Sequence, residues 1–214
     1  PAMESGVLDI VIGKGPSART VQLELPPFTL ISATTRISML SAPLRSRFSG
    51  GTFRLQYYSV DEIAEILRRS AAILRIEIDK DSLMEIARRS RATPRTANYL
   101  LKRCRDFAEV SGEPLNLKTV KKALALLEVD EIGLNQVDRD ILTVIVEKFQ
   151  GGPVGLKTIA AALSEEEGAI EEVHEPDPGQ SGRLERTPRG RTVTKDGYAH
   201  IGAERPGTTQ KKFI

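Results

Sequence analysis

Arg89-Ser90-Arg91-Ala92-Thr93-Pro94-Arg95 is the stretch on which the reading of this chain turns. Thr93 is a favoured N-cap residue, and Pro94 suits the first helical position, where no backbone N–H is needed. The pair predicts a helix start, and Leu100, Leu101, Cys104 and Phe107 follow at helical spacing. Arg95 then falls in the first turn, where the helix dipole disfavours a cation by roughly 0.3–1 kcal/mol. A cation placed there needs an anion. The residues leave open whether a bound phosphate or a neighbouring carboxylate supplies it.

Working outward, helices flank this start on both sides. Ser59 and Glu62 have the spacing of a capping box, with Ile63, Ile66, Leu67, Ala71 and Leu74 on one helical stripe behind them. Leu83, Ile86 and Ala87 mark a second helix, and Leu117 to Leu127 a fourth. Four short helices make a compact helical domain. Further on, Asp138 to Phe149 is an amphipathic helix stopped by Gly151-Gly152-Pro153, and Leu156 to Leu163 is another. Ser164 and Glu167 predict a capping box opening a third helix, which Pro176 must end. Leu184, the Arg186-Thr187-Pro188-Arg189-Gly190-Arg191 turn and the strand-like Thr192-Val193-Thr194 complete the outline of a winged-helix domain.

The first fifty residues read as strands. Leu8 to Ile12 is closed by the turn Gly13-Lys14-Gly15-Pro16, and Val21, Leu23 and Leu25 alternate on the return. Ile10 and Ile12 beside that turn suit either a protruding contact or ordinary core burial. Phe28 to Ala33 predicts a strand buried on both faces. The expected fold is mostly α with some β.

Bulk properties narrow the class. With 40% apolar and 28% charged residues over 214 positions, real cores are possible. No run approaches the roughly 18 apolar residues of a membrane helix, and no charged-then-apolar leader opens the chain. The single cysteine, Cys104, excludes an internal disulfide and reads as a small core residue; a cytoplasmic location is expected. Net charge is only +2, but Ile86 to Arg105 holds seven basic residues and no acidic one. Arg183 to Lys212 holds eight basic against three acidic. Composition leaves open whether these clusters meet anionic partners or are solvated faces. Pro1, with Met3 running directly into strand-like sequence, reads as the start of a piece of something longer.

Five strings in order then carry a resemblance: Leu25-Pro26-Pro27-Phe28-Thr29-Leu30-Ile31 running into Ala33-Thr34-Thr35-Arg36; Pro43-Leu44-Arg45-Ser46-Arg47-Phe48; the Arg89–Arg95 stretch; Gly151-Gly152-Pro153-Val154-Gly155-Leu156; and Arg186–Arg191. From Pro1 to about Gly202 the chain resembles the RuvB family, hexameric AAA+ ATPases that move DNA at four-way (Holliday) junctions. The resemblance implies residues 1–55 as the C-terminal part of an AAA+ large domain, 56–130 as a helical lid, 131–201 as a winged-helix DNA-binding domain and 202–214 as a loose tail. It implies Thr35 as the sensor of the γ-phosphate, Arg47 as the arginine finger, and Glu4, Tyr58 and Arg95 beside ATP. On the residues alone, Thr35 reads as a strand-end hydroxyl bonded to backbone and Arg47 as a surface residue, while Tyr58 is equally a hydrophobic anchor. The hairpin bearing Ile10 and Ile12 would dock RuvA. ATP with Mg2+ would serve the complete motor, with RuvC in the wider complex.

DNA contact falls to the wing. The third winged helix carries Glu165, Glu166, Glu167, Glu171 and Glu172, which repel phosphates, whereas Arg186, Arg189 and Arg191 crowd one turn. The chain also departs from the family. No G-x-x-x-x-G-K-[ST] string occurs in it, and no metal ligands are expected from it. Glu4-Ser5-Gly6, Ser49-Gly50-Gly51-Thr52 and Asp177–Gly182 replace segments of different chemistry. The fragment alone is expected to bind DNA weakly and hydrolyse nothing. The competing reading is a non-enzymatic winged-helix DNA-binding protein that keeps the lid helices as an assembly module.

Overall fold

The structure, a computed structural model, describes residues 2–15, 18–171 and 182–205. It falls into two units, Pro1–Gln56 and Tyr57–Ile214. It is mostly helical with two short sheets.

The first unit holds α1 (Ala2–Ser5), the antiparallel pair β1 (Val7–Ile12) and β2 (Arg19–Glu24), a 3-10 turn at Ile37–Met39, and α2 (Ala42–Ser46). None of its described residues is buried. The predicted hairpin is present, with Leu8 opposite Leu23 and Ile10 opposite Val21. The predicted strand at Phe28–Ala33 is not: the segment is non-regular, and Phe28, Leu30 and Ile31 are exposed. A doubly buried strand needs a neighbour on each side to take its backbone N–H and C=O groups. Among the described residues β1 and β2 pair only with each other, so nothing serves that segment.

The second unit opens with four helices: α3 (Val60–Ile73), α4 (Lys80–Arg88), α5 (Pro94–Ser111) and α6 (Leu117–Leu126). Ile63, Leu67 and Ala71 of α3 meet Ile86 of α4, Ala97, Leu100, Leu101 and Cys104 of α5, and Val120 and Leu124 of α6 in one apolar core. Short polar residues start the helices. Ser59 and Glu62 form the expected capping box, Asp79 accepts from the Ser82 N–H, and Asn116 from that of Thr119. Thr93 has the extended backbone of an N-cap, but its hydroxyl makes no cap; it bonds the Ser90 carbonyl and the Thr96 hydroxyl instead.

A second core begins at Leu134 and is built by α7 (Gln136–Phe149), α8 (Leu156–Leu163), a short α9 (Glu167–Ala169), β3 (Leu184–Thr187), β4 (Gly190–Val193) and α10 (Lys195–His200). Val154 bridges β4 through Arg191, adding a third partner to the hairpin. At Gly190 the φ of +136° and a Val154 carbonyl only 2.4 Å from where a Cβ would stand leave room for glycine alone. The predicted capping box at Ser164 and Glu167 does not form. Ser164 lies in the left-handed region (φ 58°) and ends α8, and Glu166 takes the N-cap position of α9. Glu172, Pro176 and residues 177–181 lie outside the described residues, as does most of the predicted tail.

Burial pushes the Cys104 thiol up to about 12, so almost no thiolate exists near neutrality. Cys104 is therefore expected to resist iodoacetamide at pH 8 in the native chain and to react fully in denaturant, read by mass spectrometry. Rapid native labelling would contradict the packing of α5.

Candidate nucleotide and DNA sites

The residues expected near a nucleotide fall into two groups, one in each unit. In the first unit, Arg47 ends α2 and donates through Nη1 to the Pro43 carbonyl at 2.7 Å. Its Nη2 pairs with the Glu4 carboxylate. That hydrogen bond, with the charge of Arg47 behind it, holds the Glu4 carboxyl below the usual carboxylate range. The expected finger and the expected ATP-side carboxylate thus engage each other. Thr35 is exposed in a bend beyond the non-regular segment. It is the neighbouring Thr34 whose hydroxyl accepts the Arg36 N–H, at 3.0 Å.

In the second unit, Tyr58 and Arg95 lie on segments joined by one backbone hydrogen bond. Tyr58 precedes the Ser59 cap of α3, and its N–H donates to the Ala92 carbonyl at 3.4 Å, three residues before Arg95. Tyr58 is half-exposed (45%) rather than a buried anchor. Arg95 is exposed at the second position of an 18-residue helix. Among the described residues it has no carboxylate partner. The choice left open by the sequence therefore leans away from an internal carboxylate. An open depression of about 880 Å³ lies elsewhere, where Asp79 and Asp81 face Asn116, Lys118 and Lys121, and none of these candidates lines it.

The wing is as basic as the sequence suggests. Arg186 and Arg191 stand directly opposite each other in the β3–β4 ladder, an arrangement that like charges disfavour. Arg189 is exposed in the connecting turn. The sequence reading missed a partner across the module: Arg186 Nη2 lies 3.4 Å from the Glu171 carboxylate. The acidic segment after α8 thus faces the wing it was expected only to contrast with. No spacing rule reveals a pair fifteen residues apart.

The hairpin of the first unit presents a ladder of one chemistry. Leu8, Ile10 and Ile12 share a face with Val21 and Leu23, and each is 39–59% exposed. No described residue of this unit is buried, so their exposure is shared with the rest of it. Among the described residues no group of His, Cys, Asp and Glu could hold a metal ion, and no helix is long and apolar enough to cross a membrane.

A helical lid with a lone arginine in the first turn of one helix, followed by a winged helix with a basic wing, is the C-terminal plan of a DNA-acting AAA+ protein. Comparison with known proteins makes this specific. Residues 1–55 match the Holliday junction DNA helicase RuvB P-loop domain, 58–130 the RuvB AAA lid domain and 131–202 the RuvB C-terminal winged helix domain. This chain belongs to the RuvB family. It is similar to the Holliday junction branch migration motor RuvB of Thermotoga maritima, at 46% identity over 85% of this chain and 61% of that one, with a TM-score of 0.79. A single-substitution mutant of the same motor matches 96% of this chain and 64% of its own, at 42% identity and a TM-score of 0.82. The chain therefore spans about three-fifths of the length of these relatives.

If the wing grips DNA through Arg186, Glu171 competes with phosphate for it. Glu171→Gln is expected to tighten duplex binding about two- to five-fold at low salt, the span of one exposed ion pair, in a fluorescence anisotropy titration. Unchanged or weaker binding would contradict the competition.

Proposed function

We propose that this chain is the nucleotide-sensing and DNA-gripping part of a subunit of an ATP-driven, hexameric DNA translocase that migrates Holliday junctions in recombination and repair. The observation that carries this reading is Arg95, exposed and without a carboxylate partner among the described residues, in a first helical turn beside Tyr58. A cation in that place is stabilised by an anion brought from outside, and a nucleotide phosphate fits. Tyr58 offers its ring to the base. Thr35 would watch the γ-phosphate and Arg47, released from Glu4, would reach a neighbouring subunit's nucleotide. Residues 1–55, 56–130 and 131–201 are the three working modules.

ATP and Mg2+ fit these residues only in part. Contacts to base and terminal phosphate are available, whereas the cradle that holds a triphosphate and its metal needs the G-x-x-x-x-G-K-[ST] string, which this sequence does not contain. The exposed apolar face of Leu8, Ile10 and Ile12 suits the docking of RuvA, with RuvC joining the wider assembly. The cytoplasm is the matching compartment.

On DNA, Arg186, Arg189 and Arg191 meet phosphate oxygens, which carry no base information. This suits a motor that must pass over any sequence. In Arg186→Ala with Arg191→Ala, affinity is expected to fall by a similar factor for unrelated duplexes. The slope of log affinity against log salt should shrink by roughly one to two, about one for each phosphate that is no longer neutralised. A loss confined to particular sequences, or an unchanged salt slope, would overturn phosphate gripping by the wing.

A further inference from the structure

The loop that starts α5 is fastened on its other side to the winged-helix module. Arg91 donates through Nε to the Gly133 carbonyl at 2.9 Å and through Nη2 to Asp138 Oδ2. Asp138 is fully buried, and the same oxygen accepts the Asn135 N–H at 2.9 Å, closing the capping box of α7. Alongside, Arg89 pairs with Glu85 and donates to the Val129 carbonyl at 3.0 Å. Gly133 (φ +89°) presses so closely that a Cβ there would stand 2.7 Å from the Arg89 carbonyl oxygen. The two apolar cores are separate clusters; Arg91 ties lid to winged helix beside two further contacts, Arg139 Nη1 donating to the Glu128 carbonyl at 3.0 Å and His200 Nε2 paired with Asp130 at 2.9 Å.

The same loop is conformationally unusual. Arg91 and Ala92 both lie in the left-handed region, at φ 56° and 52°. Successive non-glycine residues persist there only where their surroundings over-determine them. From Arg91 to Arg95 the chain runs through Thr93, hydrogen bonded back to Ser90, and Pro94, whose φ is fixed. Beyond α7, Gly151 accepts the N–H of Val193 on the wing strand at 2.9 Å. A continuous, stiff path thus leads from the exposed Arg95 to the basic wing.

We propose that Arg91 is the positioning residue that couples nucleotide engagement at Arg95 to the stance of the winged-helix module, with its pair to the buried Asp138 as the joint that makes lid and wing move together. The coupling rests on the reading of Arg95 as a nucleotide-sensing residue; the joint does not.

The joint is tested in the 214-residue chain with spin labels at Lys102→Cys on α5 and Lys157→Cys on α8, both exposed positions, the buried Cys104 staying unlabelled. The parent should give one narrow distance distribution. Arg91→Gln should broaden or shift it while circular dichroism stays native, and Arg91→Lys, which keeps a charge for Asp138, should recover part of the narrowness. Asp138→Asn, which keeps an acceptor for the α7 cap but removes the ion pair, should behave as Arg91→Gln does. An unchanged distribution in both Arg91→Gln and Asp138→Asn overturns the joint.

The coupling is tested in the assembled motor that contains this chain. There Arg91→Gln should leave DNA-stimulated hydrolysis and the KM for ATP within about two-fold, yet lower junction movement per ATP by roughly five-fold or more. Equal losses of hydrolysis and movement, or no loss of either, overturn the coupling. An assembled motor with Arg91 intact that hydrolyses no ATP points instead to failure of the nucleotide reading, and the label distances still decide the joint.

Discussion

A buried carboxylate joins the two modules of the larger unit. Asp138 is closed off from solvent, caps the first helix of the winged-helix module and receives the guanidinium of Arg91 from the lid. Removing Arg91 leaves the buried Asp138 carboxylate its Asn135 N–H but takes away this guanidinium, although the intact pair contributes little to net stability. The arrangement therefore specifies geometry more than it adds stability. Two modules with separate apolar cores are tied by a fork-shaped cation to a backbone carbonyl and a carboxylate, beside the Arg139–Glu128 and His200–Asp130 contacts.

The same economy of charge runs through the wing. Arg186 faces Arg191 across the ladder and leans toward Glu171 from the acidic segment. Without DNA the carboxylate relieves part of the repulsion. On the proposed reading, phosphate oxygens of DNA take its place, and exchanging one anion for another keeps the grip reversible. A protein that steps along a duplex needs such contacts to be individually weak and indifferent to sequence.

Much of this was legible in the sequence because it rests on local chemistry. The turn at Gly13–Gly15, the Ser59–Glu62 box and the helical stripes of α3, α5, α7 and α8 all appear where the residue pattern puts them. The errors came where ownership of a residue depends on what lies around it. Ser164 has the spacing of a cap, yet α8 claims it as its own left-handed terminus. The apolar run at Phe28–Ala33 signals a buried strand, but no described strand stands beside it. The helix α10 went unread because Lys195-Asp196-Gly197-Tyr198-Ala199-His200 has no apolar period; it forms because Thr194 caps it and Tyr198 is buried.

At the candidate sites, residue types were legible and pairings were not. Arg95 at a helix start and three arginines on one turn are visible in the string itself. Glu4 with Arg47, Glu171 with Arg186 and Arg91 with Asp138 join positions up to 47 residues apart. Such pairs obey no periodicity, and only the folded backbone brings them within reach.

The most direct test of the account is nucleotide turnover by the 214-residue chain in the presence of duplex and junction DNA, with binding followed in parallel. An assembly of sensing and gripping parts without a phosphate loop should bind DNA in a salt-sensitive way and release no phosphate above background. Steady hydrolysis that disappears in Arg95→Ala would contradict it, because the chain would then hold a complete ATP site of its own.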